Sequence, residues 1–150
     1  MSTEPSPDRL EAVSRRGVPI VFVPGGIDFI LYGPLESIAP EILERKYVAH
    51  NPIHTHVRAN QAEMSDAGRF VAERLSQTTG PALIVIPRRG FSQLNIRGGL
   101  LFDPQADQGF IEGLTAAGTG RLAIAELEMH INEPAFAEAV SAELRSLMER

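Results

Sequence analysis

The 150-residue sequence contains no cysteine and no tryptophan, and Lys46 is its single lysine. Without thiols the chain can form no disulfide, no thiolate nucleophile and no Cys-ligated zinc centre. The same lack is compatible with a reducing cytosol, so a cytoplasmic protein is expected. With scattered arginines and a formal net charge of −5, no basic stripe is available to neutralise a phosphate backbone, and nucleic acid is not expected as a partner. No apolar run approaches the ~20 residues needed to cross a bilayer, and no membrane partner is expected either. The N-terminus, MSTEPSPDR, lacks the basic start and apolar core of a secretory signal, and residues 1–7 are expected to form a flexible tail.

What is present has ordinary globular composition, 43% hydrophobic and 22% charged residues. The length suits one domain with its own core, spanning residues 8–150. Leu10 and Val13 suggest a short helical stripe before Gly17, and Pro19 to Val23 reads as a buried strand that Pro24, Gly25 and Gly26 end. Leu35, Ile38, Ile42 and Leu43 share a helical face, with Pro40 implying a kink or two shorter pieces. Alternation from Ile53 to Arg58 predicts an extended segment with His54, His56 and Arg58 on one side. Asn60 and Glu63 have capping-box spacing ahead of the stripe Ala67, Phe70, Val71 and Leu75.

Ala82 to Ile86 is the clearest buried strand, Asp103-Pro104 reads as an N-cap with proline in the first helical turn, and Phe110, Ile111 and Leu114 follow as that helix's stripe. A strand from Leu122 to Leu127 and a final helix carrying Phe136, Val140, Leu144 and Leu147 complete the pattern. Strands alternating with amphipathic helices predict an α/β fold, a Rossmann-like three-layer sandwich whose mostly parallel sheet has about four strands. So few strands leave room for an uncovered edge or a partner surface.

The polar clusters fall where these runs end, and in a parallel sheet that is the carboxyl edge where ligands bind. PRRGFSQLN, Pro87 to Asn95, follows the best strand. Gly90 there permits an unusual backbone angle, and Ser92 with exposed amides can cradle an anion. The G-x-S-x-G frame of a nucleophile elbow is absent. Arg88 and Arg89 can supply local positive charge. PGGID, Pro24 to Asp28, lets a ligand approach Gly25 and Gly26, with Asp28 contacting a hydroxyl or a cation, but it carries neither G-x-G-x-x-G nor a Walker lysine. HNPIHTHVR offers an H-x-H pair, His54 and His56, that would need a third ligand to hold zinc. His50, Asn51 and Arg58 are better site candidates, Arg58 because its fork matches carboxylate or phosphate. ELEMHINEP brings Glu126, Glu128, His130 and Asn132 to the same edge; His130 can serve as a general base, and Asn132 can cap a helix or bind ligand. DPQAD, Asp103 to Asp107, reads mainly as helix capping.

Taken together and in order, DRLEAV, GVPIVFVPGGIDF, the HNP-to-Arg58 segment, GP followed by a strand, PRRGFSQLN, DPQAD and HINEPAFAEAV resemble the C-terminal domain of the bacterial, fungal and plant family related to the tomato mosaic virus resistance protein. The resemblance runs from Asp8 to Val140. It implies a Rossmann-like fold, a longer two-domain parent, and ATP binding attributed to the family's N-terminal domain, which is not represented here. It also implies that the front of the C-terminal domain, a glycine-containing strand-to-helix unit with an acidic-Thr motif, is missing, so the chain looks like a partial module. His54 and His56 stand where the family usually carries apolar residues, and Arg88 and Arg89 replace a more apolar pair.

The leading expectation is a small-ligand-binding module for an anionic metabolite or nucleotide, alone or as one subunit of a split protein, with Gly25, Gly26, His50, Asn51, Arg58, Arg88, Gly90, Ser92 and Asn132 as contacts. Arg58→Ala is expected to abolish binding while leaving the fold intact. The alternative is a hydrolase or lyase acting on a small carboxylate or phosphate ester, with His130 as general base, Ser92 as nucleophile or oxyanion donor and Asp28 or Glu128 as orienter. A third reading is an assembly subunit, in which apolar surface left by the missing front favours a homo-oligomer or a complementary chain.

Overall fold

A computed structural model of the chain describes residues 10–118, 120 and 122–149; the expected tail, residues 1–7, lies outside them. The elements run α1 (Glu11–Ser14), β1 (Ile20–Phe22), β2 (Phe29–Tyr32), a 3-10 turn (Leu35–Ser37), α2 (Pro40–Leu43), β3 (Tyr47–Asn51), β4 (His54–Arg58), α3 (Gln61–Leu75), β5 (Ala82–Pro87), α4 (Pro104–Ala116), β6 (Ala123–Leu127) and α5 (Pro134–Met148). The fold is α/β. The stretch around Pro40 forms two short pieces, because proline starts a helix readily and cannot continue one.

A parallel sheet of order β1-β5-β6 carries the core. In β5, Ile84 and Ile86 face one side and Leu83 and Val85 the other, and all four are buried, as befits a central parallel strand covered on both faces. Burying each such side chain contributes about 2 kcal/mol before entropic costs. Met64, Val71 and Leu75 of α3 and Phe110 and Leu114 of α4 cover the first side. Phe136 and Leu147 of α5 cover the second. Both crossovers, β1 to β5 through α3 and β5 to β6 through α4, therefore run over the same face.

Among the described residues the parallel sheet has three strands, not about four. The extended segment from Ile53 to Arg58 instead forms β4, the centre of a separate antiparallel sheet of order β2-β4-β3. Only Pro52 and Ile53 separate β3 from β4. Such a link permits a hairpin, whereas a parallel pair needs a crossover of a dozen or more residues. Two strands of that sheet escape a reading by periodicity. In β2, FILY is apolar without alternation, and β3, YVAHN, mixes both characters. Ile30 of β2 packs against the main core and Val57 of β4, paired with it, is fully buried on the same face, while Phe29, Leu31, His54 and His56 lie on the other face.

Candidate functional site

Three loops leave the carboxyl ends of β1, β5 and β6 and are stitched to one another through their backbones. Gly26 N–H donates to Phe91 O at 2.8 Å, Ile131 N–H to Gly90 O at 3.2 Å, Arg88 N–H to Leu127 O at 2.8 Å and Arg89 N–H to Met129 O at 3.0 Å. Gly90, at φ +132°, is required here: a Cβ would fall 1.7 Å from the Asn95 carbonyl oxygen and 2.9 Å from the His130 ring. Gly25 and Gly26 are exposed at the mouth of the first loop.

Asp28 is fully buried, and its Oδ2 accepts the Ser92 hydroxyl at 2.7 Å while Oδ1 has no partner. The expected contact between Asp28 and a hydroxyl is thus made within the protein. Ser92 Oγ also accepts from Leu94 N–H at 3.2 Å. His130, 6% exposed, points its Nε2 at the Ser92 backbone oxygen, 3.0 Å away, rather than at the hydroxyl. Its Nδ1 accepts from Asn132 N–H at 3.2 Å, which leaves the proton on Nε2. Both ring nitrogens are therefore committed to backbone, and Ser92 and His130 do not form a nucleophile–base pair. Glu133 Oε1 accepts from His130 N–H at 2.7 Å and closes the turn.

A second polar cluster lies beneath these loops, with Arg58 at its buried centre. Arg58, 3% exposed, donates from Nη1 to Asp28 O at 2.6 Å and from Nη2 to Asp103 O at 2.9 Å and to the Asp107 carboxylate. Asn95 Nδ2 donates to both Asp107 oxygens at 2.9 Å. Burial pushes the Asp107 carboxyl above the ordinary carboxylate range and Asp28 adds to the push, while Asn95 and Arg58 oppose it. The Arg58 fork is spent on this network and is not presented to solvent. Arg88 is likewise engaged, with Glu126 at 3.5 Å, Glu128 at 4.0 Å and Gln108 at 3.1 Å. Asp103 caps α4 through Ala106 N–H, as its position before Pro104 implied.

His50 and Asn51 stand on β3, in the antiparallel sheet, apart from the stitched loops. His50 stacks on His56 at 4.9 Å, and His56 stacks on Phe29 at 4.2 Å. Burial lowers the His56 pKa below the usual imidazole value, with His50 and His54 adding to the effect and Asp28 opposing it. Among the described residues no three His, Cys, Asp or Glu side chains are grouped so as to hold a metal ion, so the H-x-H pair finds no third ligand. Asn132 caps nothing with its side chain. The N-cap of α5 is Glu133, and Asn132 sits one position outside it, exposed.

An open groove of about 730 Å³ runs along the sheet edge, lined by Gln93, Ile96, His130, Asn132 and Glu133. Gln93 and Asn95 lie within PRRGFSQLN and Glu133 within ELEMHINEP, though none of them stands out there as a site residue, and Ile96 lies just beyond the first motif. The spacing of His130 and Glu133, with a glutamate three residues on, is the one local signal that marks a reciprocal turn. Exposed Arg89 and Arg97 belong to the same β5 loop, and neither has an ion-pair partner among the described residues.

The model of the C-terminal domain of uncharacterised protein family UPF0261 matches residues 2–148. The chain belongs to that family. It is 36% identical over 142 residues to UPF0261 protein RA0729 of Rhizobium meliloti (strain 1021), covering 93% of this chain and 36% of the relative. A UPF0261 protein of Clostridium tetani (strain Massachusetts / E88) is 29% identical over 145 residues, covering 96% of this chain and 36% of the relative. The ToMV resistance protein Tm-1(GCR237) of Solanum lycopersicum is 28% identical over 134 residues, covering 88% of this chain and 18% of the relative. The tomato protein falls within the resemblance drawn from the sequence motifs. The chain thus spans 36% of the length of the first two relatives. No described helix of this UPF0261 domain is long and apolar enough to cross a membrane.

Proposed function

We propose that this UPF0261 domain is a binding module for a small anionic ligand, taken up in the groove between the β5 and β6 loops. The observation that carries the reading is the groove itself, about 730 Å³ at the carboxyl edge of a parallel sheet and walled by Gln93, Ile96, His130, Asn132 and Glu133. Its volume lies in the range that accommodates a metabolite. Exposed Gln93 and Asn132 supply donors and acceptors whose side chains are not spent on internal bonds among the described residues. Arg89 and Arg97 supply positive charge on the same loop, which favours a carboxylate or phosphate over a neutral ligand. His130 stiffens the floor rather than moving a proton, so the geometry favours binding over turnover. Helices on both faces of the parallel sheet support reading the fold as Rossmann-like. The greater length of the relatives supports a module that works beside further polypeptide, in the same chain or in another.

A thermal-shift and calorimetric screen tests this reading, using nucleoside phosphates, sugar phosphates and dicarboxylates with neutral sugars as controls. A ligand present at 100 times its Kd stabilises the fold by about 2.7 kcal/mol. The Gln93→Ala/Asn132→Ala double variant is expected to keep its melting temperature and bind at least about tenfold more weakly, and Arg97→Glu to weaken anionic ligands selectively. No stabilising anion in the panel, or unchanged affinity in the double variant, would overturn the assignment.

A further inference from the structure

Among the described residues the antiparallel sheet has a free edge at β3, on the far side from β4. Four of the five β3 residues are exposed, which makes this edge more open than β2, where only Leu31 is. The ladder shows which backbone groups point outward. Arg58 N–H donates to Lys46 O at 2.8 Å, so residues 46 and 58 form a hydrogen-bonded pair, and Val48 with His56 forms the next one. Tyr47 and Ala49 fall between these pairs and direct their N–H and C=O groups away from β4. Natural edges are commonly blunted by charge or proline within the strand. Between Lys46 and Pro52, the sequence YVAHN contains neither.

We propose that this edge joins two copies of the chain, β3 pairing antiparallel with β3 of the second copy about a two-fold axis at Val48, short of the register shift between Ala49 and Asn51. Tyr47 and Ala49 of each copy would exchange N–H···O=C bonds with Ala49 and Tyr47 of the other. Charge selects a second copy over a basic partner. Each chain carries −5, so most surfaces of two copies repel. Across all three strands of this sheet the single charged side chain is Arg58, which is 3% exposed and paired with Asp107. Two copies can therefore meet here without juxtaposing carboxylates, whereas a basic partner would select the acidic surfaces elsewhere. Half-exposed Phe29, Val48 and His54 and exposed Leu31 lie on the face that pairing would continue across both copies. Closure about one axis gives a six-stranded antiparallel sheet and a dimer rather than a filament.

The test is sedimentation equilibrium of the full chain together with amide hydrogen exchange at several protein concentrations. The expected result is a dimer whose Tyr47 and Ala49 amides gain at least tenfold protection as it forms. Ala49→Lys places two like charges diagonally across the axis, each beside the other copy's Tyr47, and is expected to give a monomer with unchanged circular dichroism and melting. A monomeric wild type at high micromolar concentration would overturn the proposal, as would a folded Ala49→Lys variant that still dimerises. Should that variant misfold, wild-type exchange decides alone: a dimer whose Tyr47 and Ala49 amides stay unprotected refutes edge pairing.

Discussion

Burial commits the Arg58 guanidinium to the fold. Its side chain satisfies Asp28 O, Asp103 O and the Asp107 carboxylate, tying the β1 loop, β4 and the start of α4 into one knot. Truncation removes the cation from a partly buried carboxylate that keeps only Asn95, and one donor from each of two carbonyls that keep only the Ala59 and Asp107 N–H groups, so Arg58→Ala is expected to destabilise the protein by about 3–5 kcal/mol, measured by urea denaturation. Arg58→Lys should recover only part of that loss, because an ammonium cannot reproduce the planar fork. The expectation that Arg58→Ala spares the fold and removes binding comes from reading residue type alone. Arginine suits phosphate and carboxylate, and here the carboxylate is Asp107, 49 residues further along the chain. Asn60 and Glu63 were legible for the opposite reason. Their reciprocal bonds, 2.9 and 2.7 Å, close within one helical turn.

Helices α3 and α4 approach so closely that three glycines meet the backbone of the facing helix. A Cβ on Gly68 would lie 2.2 Å from Phe110 O, one on Gly109 2.4 Å from Gln61 O, and one on Gly113 2.0 Å from Ser65 O. Alanine normally favours a helix over glycine by about 1 kcal/mol. Gly113→Ala should reverse that sign and destabilise by about 3 kcal/mol, because the obstructing atom is backbone and the helices must separate. A fall in the thermal midpoint, compared with Ala116→Gly as an exposed control on the same helix, checks it. Local propensity counts Gly109 and Gly113 as weaknesses in a helix, and only the packing shows why they are there. The antiparallel strands were obscured in a similar way. FILY and YVAHN acquire strand conformation from their neighbour β4 rather than from their own pattern.

For the whole molecule, the histidine stack is one route by which pH acts on stability. His56 is held below the usual imidazole pKa by burial and by His50 and His54, against the pull of Asp28. The unfolded chain therefore binds a proton at His56 more readily than the native one does. This contribution to stability is fully present above about pH 6.5 and is lost as pH falls from there towards the lower native pKa. Melting temperature should drop between pH 7.5 and 5.5, and His56→Gln should show a smaller drop than wild type over the same interval. An equal drop in both would remove His56 as the cause.

Features that depend on neighbours within a turn or a strand are legible along the chain: the buried β5 run, the caps of α3 and α4, the break at Pro40, and the gathering of polar loops at strand ends. Its ordered motifs also marked the family. Tertiary structure alone decided the split into a three-stranded parallel sheet and an antiparallel one, the sealing of Arg58 beneath the loops, and the pairing of Ser92 with Asp28 rather than with His130. The physical reason is range. Capping and periodicity are fixed by the few residues that share a turn, whereas burial and hydrogen-bond partnership depend on which distant segments the packed core brings together.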